Sequence, residues 1–103
     1  MNLETTIWRS SQRALSELQL WIEAKEFQPQ HLVYILDSDQ DHGSDLSLAL
    51  ELTETMNSRG LSFVLVSELL TYDDVPEGVG LCPTLEEAHD FIAFEDIQRD
   101  LNL

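Results

Sequence analysis

The carboxylates of this sequence are densest in DSDQDHGSD, residues 37–45, where Asp37, Asp39, Asp41 and Asp45 lie within one short stretch. Hard cations such as Mg²⁺ and Ca²⁺ are bound by several carboxylate oxygens held together. Asp37, Asp39 and Asp41 could supply three, which makes weak cation binding one chemistry open to this stretch. The calcium-loop pattern D-x-[DN]-x-[DN]-G is not met. His42 stands at its sixth position, Gly43 comes one residue late, and Leu48 occupies the place of the closing glutamate. Asp37 and Asp39 could also serve phosphate transfer with a bound cation. That chemistry needs a basic residue beside them, and Arg9 or Arg59 would have to be brought there by the fold. The competing reading is a solvated acidic turn, rich in turn-forming residues.

Other reactive side chains are isolated. Cys82 is the only cysteine, so no internal disulfide forms, and no cation near it in sequence would lower its pKa. His31, His42 and His89 share no metal-ligand spacing. His89, beside Asp90, is expected at the surface. Glu86–Glu87 and Glu95–Asp96 are neighbours on a helix, pointing about 100° apart, so neither pair is an acid–base dyad. Ser, His and Asp are all present, but no pattern in the sequence places them together. No glycine-rich phosphate loop or nucleophile elbow occurs. The expectation is therefore a protein that is not an enzyme and needs no cofactor.

Charge narrows the partners. Five Lys and Arg face 20 Asp and Glu, a net charge of −15 over 103 residues. The cations Arg9, Arg13, Lys25, Arg59 and Arg99 are scattered singly. Nucleic-acid surfaces need clustered cations, so DNA and RNA are excluded as partners, and so are anionic membranes. A protein with a basic surface is the expected partner. The longest apolar run, Leu32 to Leu36, is too short to span a bilayer. The N-terminus has no basic or apolar signal region, which points to a cytoplasmic protein.

The positioning elements follow from periodicity. Residues 1–103 read as a single small α/β domain, ordered β-α-β-α-β-β-α, with a mostly parallel sheet. Leu3 to Trp8 predicts a first strand. Ser10 or Ser11 is placed to cap a helix whose stripe runs Leu15, Leu18, Trp21, Ile22 and Lys25, ending near Phe27 before Pro29. HLVYILD, 31–37, predicts a strand buried on both faces. Ser44 is placed to cap a second helix carrying Leu46, Ala49, Leu50, Leu52 and Met56, closed by Gly60. Leu61 to Ser67 is a further buried strand. Residues 68–78 read as a loop or one irregular helical turn, stopped by Pro76. Val79 to Cys82 is a short strand. Thr84 caps the last helix, with Glu87 as its capping-box partner, and the helix runs to about Arg99. Trp8 and Trp21 are expected to fill the core, and the Leu101-Asn102-Leu103 end is available to a partner or a second subunit.

Two phosphate-handling families share part of this pattern. A hydrophobic strand followed by D-x-D is similar to the start of haloacid-dehalogenase-type phosphatases, and an acidic pocket is similar to that of response-regulator receivers. Both use a basic residue downstream; here only Arg59 and Arg99 lie downstream. A more extended likeness covers residues 32–103. SLALELTETMNSRGLSFVLVS, with Arg59-Gly60 and the strand Ser62 to Ser67, resembles the helix-then-strand segment of STAS domains, the fold of bacterial anti-sigma factor antagonists. The ending CPTLEEAHDFIAFEDIQRDL is similar to the tail of small bacterial STAS-like proteins. Pro83, Thr84, Glu87, Ala88, Ile92, Glu95, Ile97, Arg99 and Leu101 carry that likeness, together with Asp73, Asp74 and Pro76 before it. The resemblance implies a regulatory protein-interaction domain of STAS-like fold. Its D-S-S-G phosphorylation switch is degenerate here: DSDQDHGSDLS stands in that region, and Ser44 and Ser47 are the serines near the helix start. The expected contact edge is therefore Asp37, Asp39, Asp41, Ser44, Asp45 and Ser47. The alternatives are a divalent-cation-binding phosphotransfer module on Asp37, Asp39 and Asp41, and a structural or homodimerising domain.

Overall fold

Four short strands, three of them rich in β-branched and aromatic residues, pair into one sheet in the computed structural model, which describes residues 3–37 and 46–101. The elements are β1 (Thr5–Arg9), α1 (Leu15–Glu23), β2 (His31–Ile35), α2 (Leu46–Ser58), β3 (Phe63–Val66), a 3₁₀ turn (Tyr72–Asp74), β4 (Gly80–Cys82) and α3 (Leu85–Leu101). The expected order is met. The strands lie in sequence order, β1-β2-β3-β4, and every pair is parallel.

That order determines where the connections go. Right-handed crossovers between successive neighbours all pass over one face of the sheet. Accordingly Leu18 and Ile22 of α1, Leu52 and Met56 of α2, and Val75 and Val79 of the β3–β4 connection share one core with Leu32, Tyr34, Phe63, Leu65 and Leu81. Side chains alternate across a strand. Val33, Val64, Val66 and Cys82 therefore face the other way, where Ala88 and Ile92 of α3 cover them. α3, the last described element, thus lies on this second face.

Local chemistry explains the boundaries. Gly60 sits at φ 75°, the left-handed position that ends α2 as expected. The Glu87 N–H donates to Thr84 Oγ1 at 3.2 Å, the predicted cap of α3. α1 stops at Glu23, before the expected Phe27, because Ala24 is already extended and the Leu15–Leu18–Ile22 stripe has met its partners. Neither Ser10 nor Ser11 caps α1: Ala14 holds that place, and the Glu17 carboxylate reaches back to its N–H at 3.4 Å. Trp8 and Trp21 pack against the edge of the core rather than filling it, stacked on each other 5.4 Å apart with Arg13 over Trp8. At the far edge of the sheet, the Tyr72 hydroxyl donates to the Leu81 carbonyl at 3.0 Å. Among the described residues no helix is long and apolar enough to cross a membrane.

Candidate functional site

The carboxyl ends of all four parallel strands open into one cleft of about 560 Å³, with Arg9, Asp37, Ser67 and Thr84 on its polar walls and Ile35, Val66 and Leu85 among its apolar ones. This is the side of a parallel sheet on which ligands bind. Asp37 reaches it as expected. Asp39, Asp41, Ser44 and Asp45 lie outside the described residues. Ser47 is exposed in the first turn of α2 and does not line the cleft.

The fold brings Arg9 to Asp37, 28 positions further along the chain; their closest approach is 3.6 Å. Asp37 is also held by the turn after β1. Its Oδ1 accepts from the Ser11 N–H at 2.9 Å and the Ser10 hydroxyl at 3.2 Å, and its Oδ2 accepts from the Ser11 hydroxyl at 3.0 Å. The Asp37 N–H donates to Ser10 Oγ at 2.9 Å. The Ser11 backbone bond is the largest influence on the Asp37 carboxyl, and with the two serine hydroxyls and the Arg9 charge it outweighs the opposing effect of burial and holds the pKa below its ordinary value. Both carboxylate oxygens are thus engaged by protein donors. Among the described residues no group of three or more His, Cys, Asp or Glu is placed to hold a metal. Cys82 is buried, and burial, with the Glu87 charge, pushes its thiol pKa up, away from the reactive thiolate.

A second cluster lies at the opposite end of the strands, on the α3 side. Neighbouring positions of β2 and of the approach to β3 present His31 and Ser62, whose side chains are 1% and 0% exposed. The third and fourth turns of α3 meet them with charge. The Ser62 N–H donates to His31 Nδ1 at 3.0 Å, so the ring hydrogen is on Nε2, 3.1 Å from Asp96 Oδ2, to which it donates. The Ser62 hydroxyl donates to Glu95 Oε1 at 2.5 Å and accepts from Arg99 at 2.7 Å. Arg99 also donates to Asp96 Oδ1 at 2.7 Å. Serine, histidine and aspartate are therefore brought together, but not as a nucleophile and its base. The hydroxyl is bound to a carboxylate and an arginine, and the imidazole takes a backbone N–H. The network closes every buried polar side-chain atom; none is without a partner among the described residues.

With charge turned inward, the apolar residues of the same stretch of α3 turn out. Phe94, Ile97 and Leu101, at helical spacing of three and four, are 59%, 57% and 79% exposed. His89 is at the surface, as expected. α3 makes its main sheet contacts with β2, β3 and β4, and Ile7 of β1, on the same face, is 38% exposed. Between α3 and β1 runs a groove of about 360 Å³, with His31 and Ile92 in its floor and Thr5, Ala93, Ile97 and Asp100 in its walls. The sequence contained one signal for this side: His31 and Ser62 are polar positions at the starts of two otherwise apolar strands, and Glu95, Asp96 and Arg99 interrupt the apolar face of α3. No family model matches the chain, nor does any curated protein or solved structure.

Proposed function

We propose that this chain is a non-enzymatic, regulatory protein-interaction domain, of STAS-like or related fold, that binds a partner with a basic surface. The observation that carries this reading is the half-covered second face of the sheet, where Ile97 is exposed in the wall of the groove between α3 and β1 and Ile7 is exposed on the same face of β1. Single exposed apolar residues are ordinary, but a grouped set on one face marks a contact surface. The net charge of −15 supplies the steering that favours a basic partner and resists self-association. The STAS-like pattern of residues 32–103 supports the regulatory part. The test is a tagged pull-down from native lysate at low and high salt, with the wild type beside an Ile7→Ser/Ile97→Ser variant. One stoichiometric basic protein, lost at high salt and lost by the variant, is the expected result. Bait alone at both salts contradicts the reading.

A second reading has one observation in its favour. Arg9 stands beside Asp37, as a cation-dependent phosphotransfer module using Asp37, Asp39 and Asp41 would need. The engagement of both Asp37 oxygens weighs against it, since a cation requires their lone pairs. Titration with Mg²⁺ and Ca²⁺ followed by NMR decides: shifts confined to Asp37 and its neighbours support it, and none at millimolar metal ends it.

A further inference from the structure

We infer that the groove between β1 and α3 seats a single basic, amphipathic helix of a partner protein, lying beside α3 as the missing second helix of that face. The inference rests on the interaction-domain reading and names its partner's chemistry. Its first ground is the asymmetry of the two faces. One face of the sheet is covered by α1, α2 and the β3–β4 connection, the other by α3 alone. A helix with its side chains is about 10 Å wide, and adjacent strands are about 4.8 Å apart. α3 lies mainly over β2, β3 and β4, so a second helix on this face would lie alongside it, toward β1.

The lining dictates what that helix presents. Ile92, Ala93 and Ile97 offer an apolar strip, Ile7 is exposed on the same face of β1, and Ala93 is small enough to let a neighbour approach closely. Asp96 and Asp100 stand on the α3 rim of the groove. The one Lys or Arg of α3, Arg99, is turned inward onto Ser62, Glu95 and Asp96 and offsets Asp96 at 2.7 Å, so Asp100 carries the acidity of that rim. The complement is an apolar stripe flanked by Lys or Arg. A second copy of this chain does not fit: its α3 would set further carboxylates against Asp96 and Asp100, between two molecules each at −15.

The polar network gives the groove its shape. Only Ala88 and Ile92 of α3 are buried apolar anchors, both in its first half. His31, Ser62, Glu95, Asp96 and Arg99 fix the roll of the second half, and with it the direction of Ala93 and Ile97. These five are positioning residues for the groove.

The experiment is a ¹⁵N NMR titration of the full chain with a synthetic Leu/Lys peptide patterned as an amphipathic helix. A second peptide of the same composition, with the helical period scrambled, controls for charge. Two variants change the same charge on the same helix: Ala93→Arg in the groove wall and Phe94→Arg on the outer surface. Both sites are exposed, so folding is expected to survive, and circular dichroism checks it. The expected result is saturable shifts at Ile7, Ala93, Ile97 and Asp100 with the patterned peptide only, at least about tenfold weaker in Ala93→Arg and within about twofold of wild type in Phe94→Arg. Equal binding of the scrambled peptide, shifts outside the groove, or a Phe94→Arg loss matching that of Ala93→Arg overturns the inference. The two claims fail separately. A basic partner captured from lysate equally by wild type and Ala93→Arg sinks the groove and leaves the interaction reading standing; bait alone sinks the reading itself.

Discussion

Replacing His31 with leucine tests whether the polar network fixes α3. The two side chains are similar in volume, so the change removes two hydrogen bonds without opening a large cavity. The first bond lost is the one from the Ser62 N–H to Nδ1, at 3.0 Å. Ser62 is fully buried, so that N–H is left without an acceptor, at a cost of about 1–3 kcal/mol. The second is the bond from Nε2 to Asp96, which keeps Arg99 and is a third exposed, so its loss adds about 1 kcal/mol. Together the substitution costs about 2–4 kcal/mol, a fall in Tm on the order of 10–20 °C for a domain of this size. Urea unfolding reads the free energy, and the slope with denaturant stays at its wild-type value. Amide exchange gives the second readout: protection over residues 95–101 falls more than over 85–92, where Ala88 and Ile92 still anchor the helix. A His31→Leu protein within about 0.5 kcal/mol of wild type, or one with uniform loss of protection along α3, refutes the reasoning.

Four further outcomes are expected. In Ser11→Ala the Asp37 carboxyl loses a hydroxyl donor but keeps the backbone N–H, so carboxyl NMR finds its pKa raised part of the way toward its ordinary value; an unchanged titration refutes this assignment. Because the native value is the lower one, the stability Asp37 contributes is present above about pH 4 and disappears as the pH falls through the native pKa; in Asp37→Asn, acid unfolding curves show that dependence removed. Gly80→Ala places a Cβ 3.1 Å from the Phe91 ring and costs about 1 kcal/mol, recovered by adding Phe91→Leu, as denaturant melts of the double-mutant cycle will read. The Cys82 thiol, buried and with its pKa raised, reacts with iodoacetamide at native pH many times more slowly than in urea.

Much of the fold was legible because its signals are local. HLVYI, FVLV and GLC are short apolar runs bounded by polar or turn residues, and Arg59-Gly60 and Thr84…Glu87 end and begin helices by contacts within one turn. The failures are long-range. Ser10 and Ser11 have the residue type of a helix cap, but Asp37, 26 and 27 positions away, draws both hydroxyls and leaves the cap to Ala14. Of the expected contact edge, Asp37 is in the cleft, bound by its own protein, and Ser47 is apart from it. The α3 side was hidden for a different reason. Leu101 is expected to be open to a partner, but Phe94 and Ile97, at helical spacing from it, carry no local signal of exposure. What turns them outward is the affinity of Glu95, Asp96 and Arg99 for His31 and Ser62, residues more than 30 positions earlier.

The central claim is that this chain acts by docking a basic partner on the α3 side of its sheet. Site-specific photo-cross-linking in the native cell tests it most directly, with a benzophenone amino acid at Ile97 and, as control, at Leu20, an exposed residue of α1 on the opposite face. The account predicts one strong adduct from position 97, with a protein rich in Lys and Arg at the linked segment, and none from position 20. No adduct at 97, or the same adduct from both positions, contradicts it.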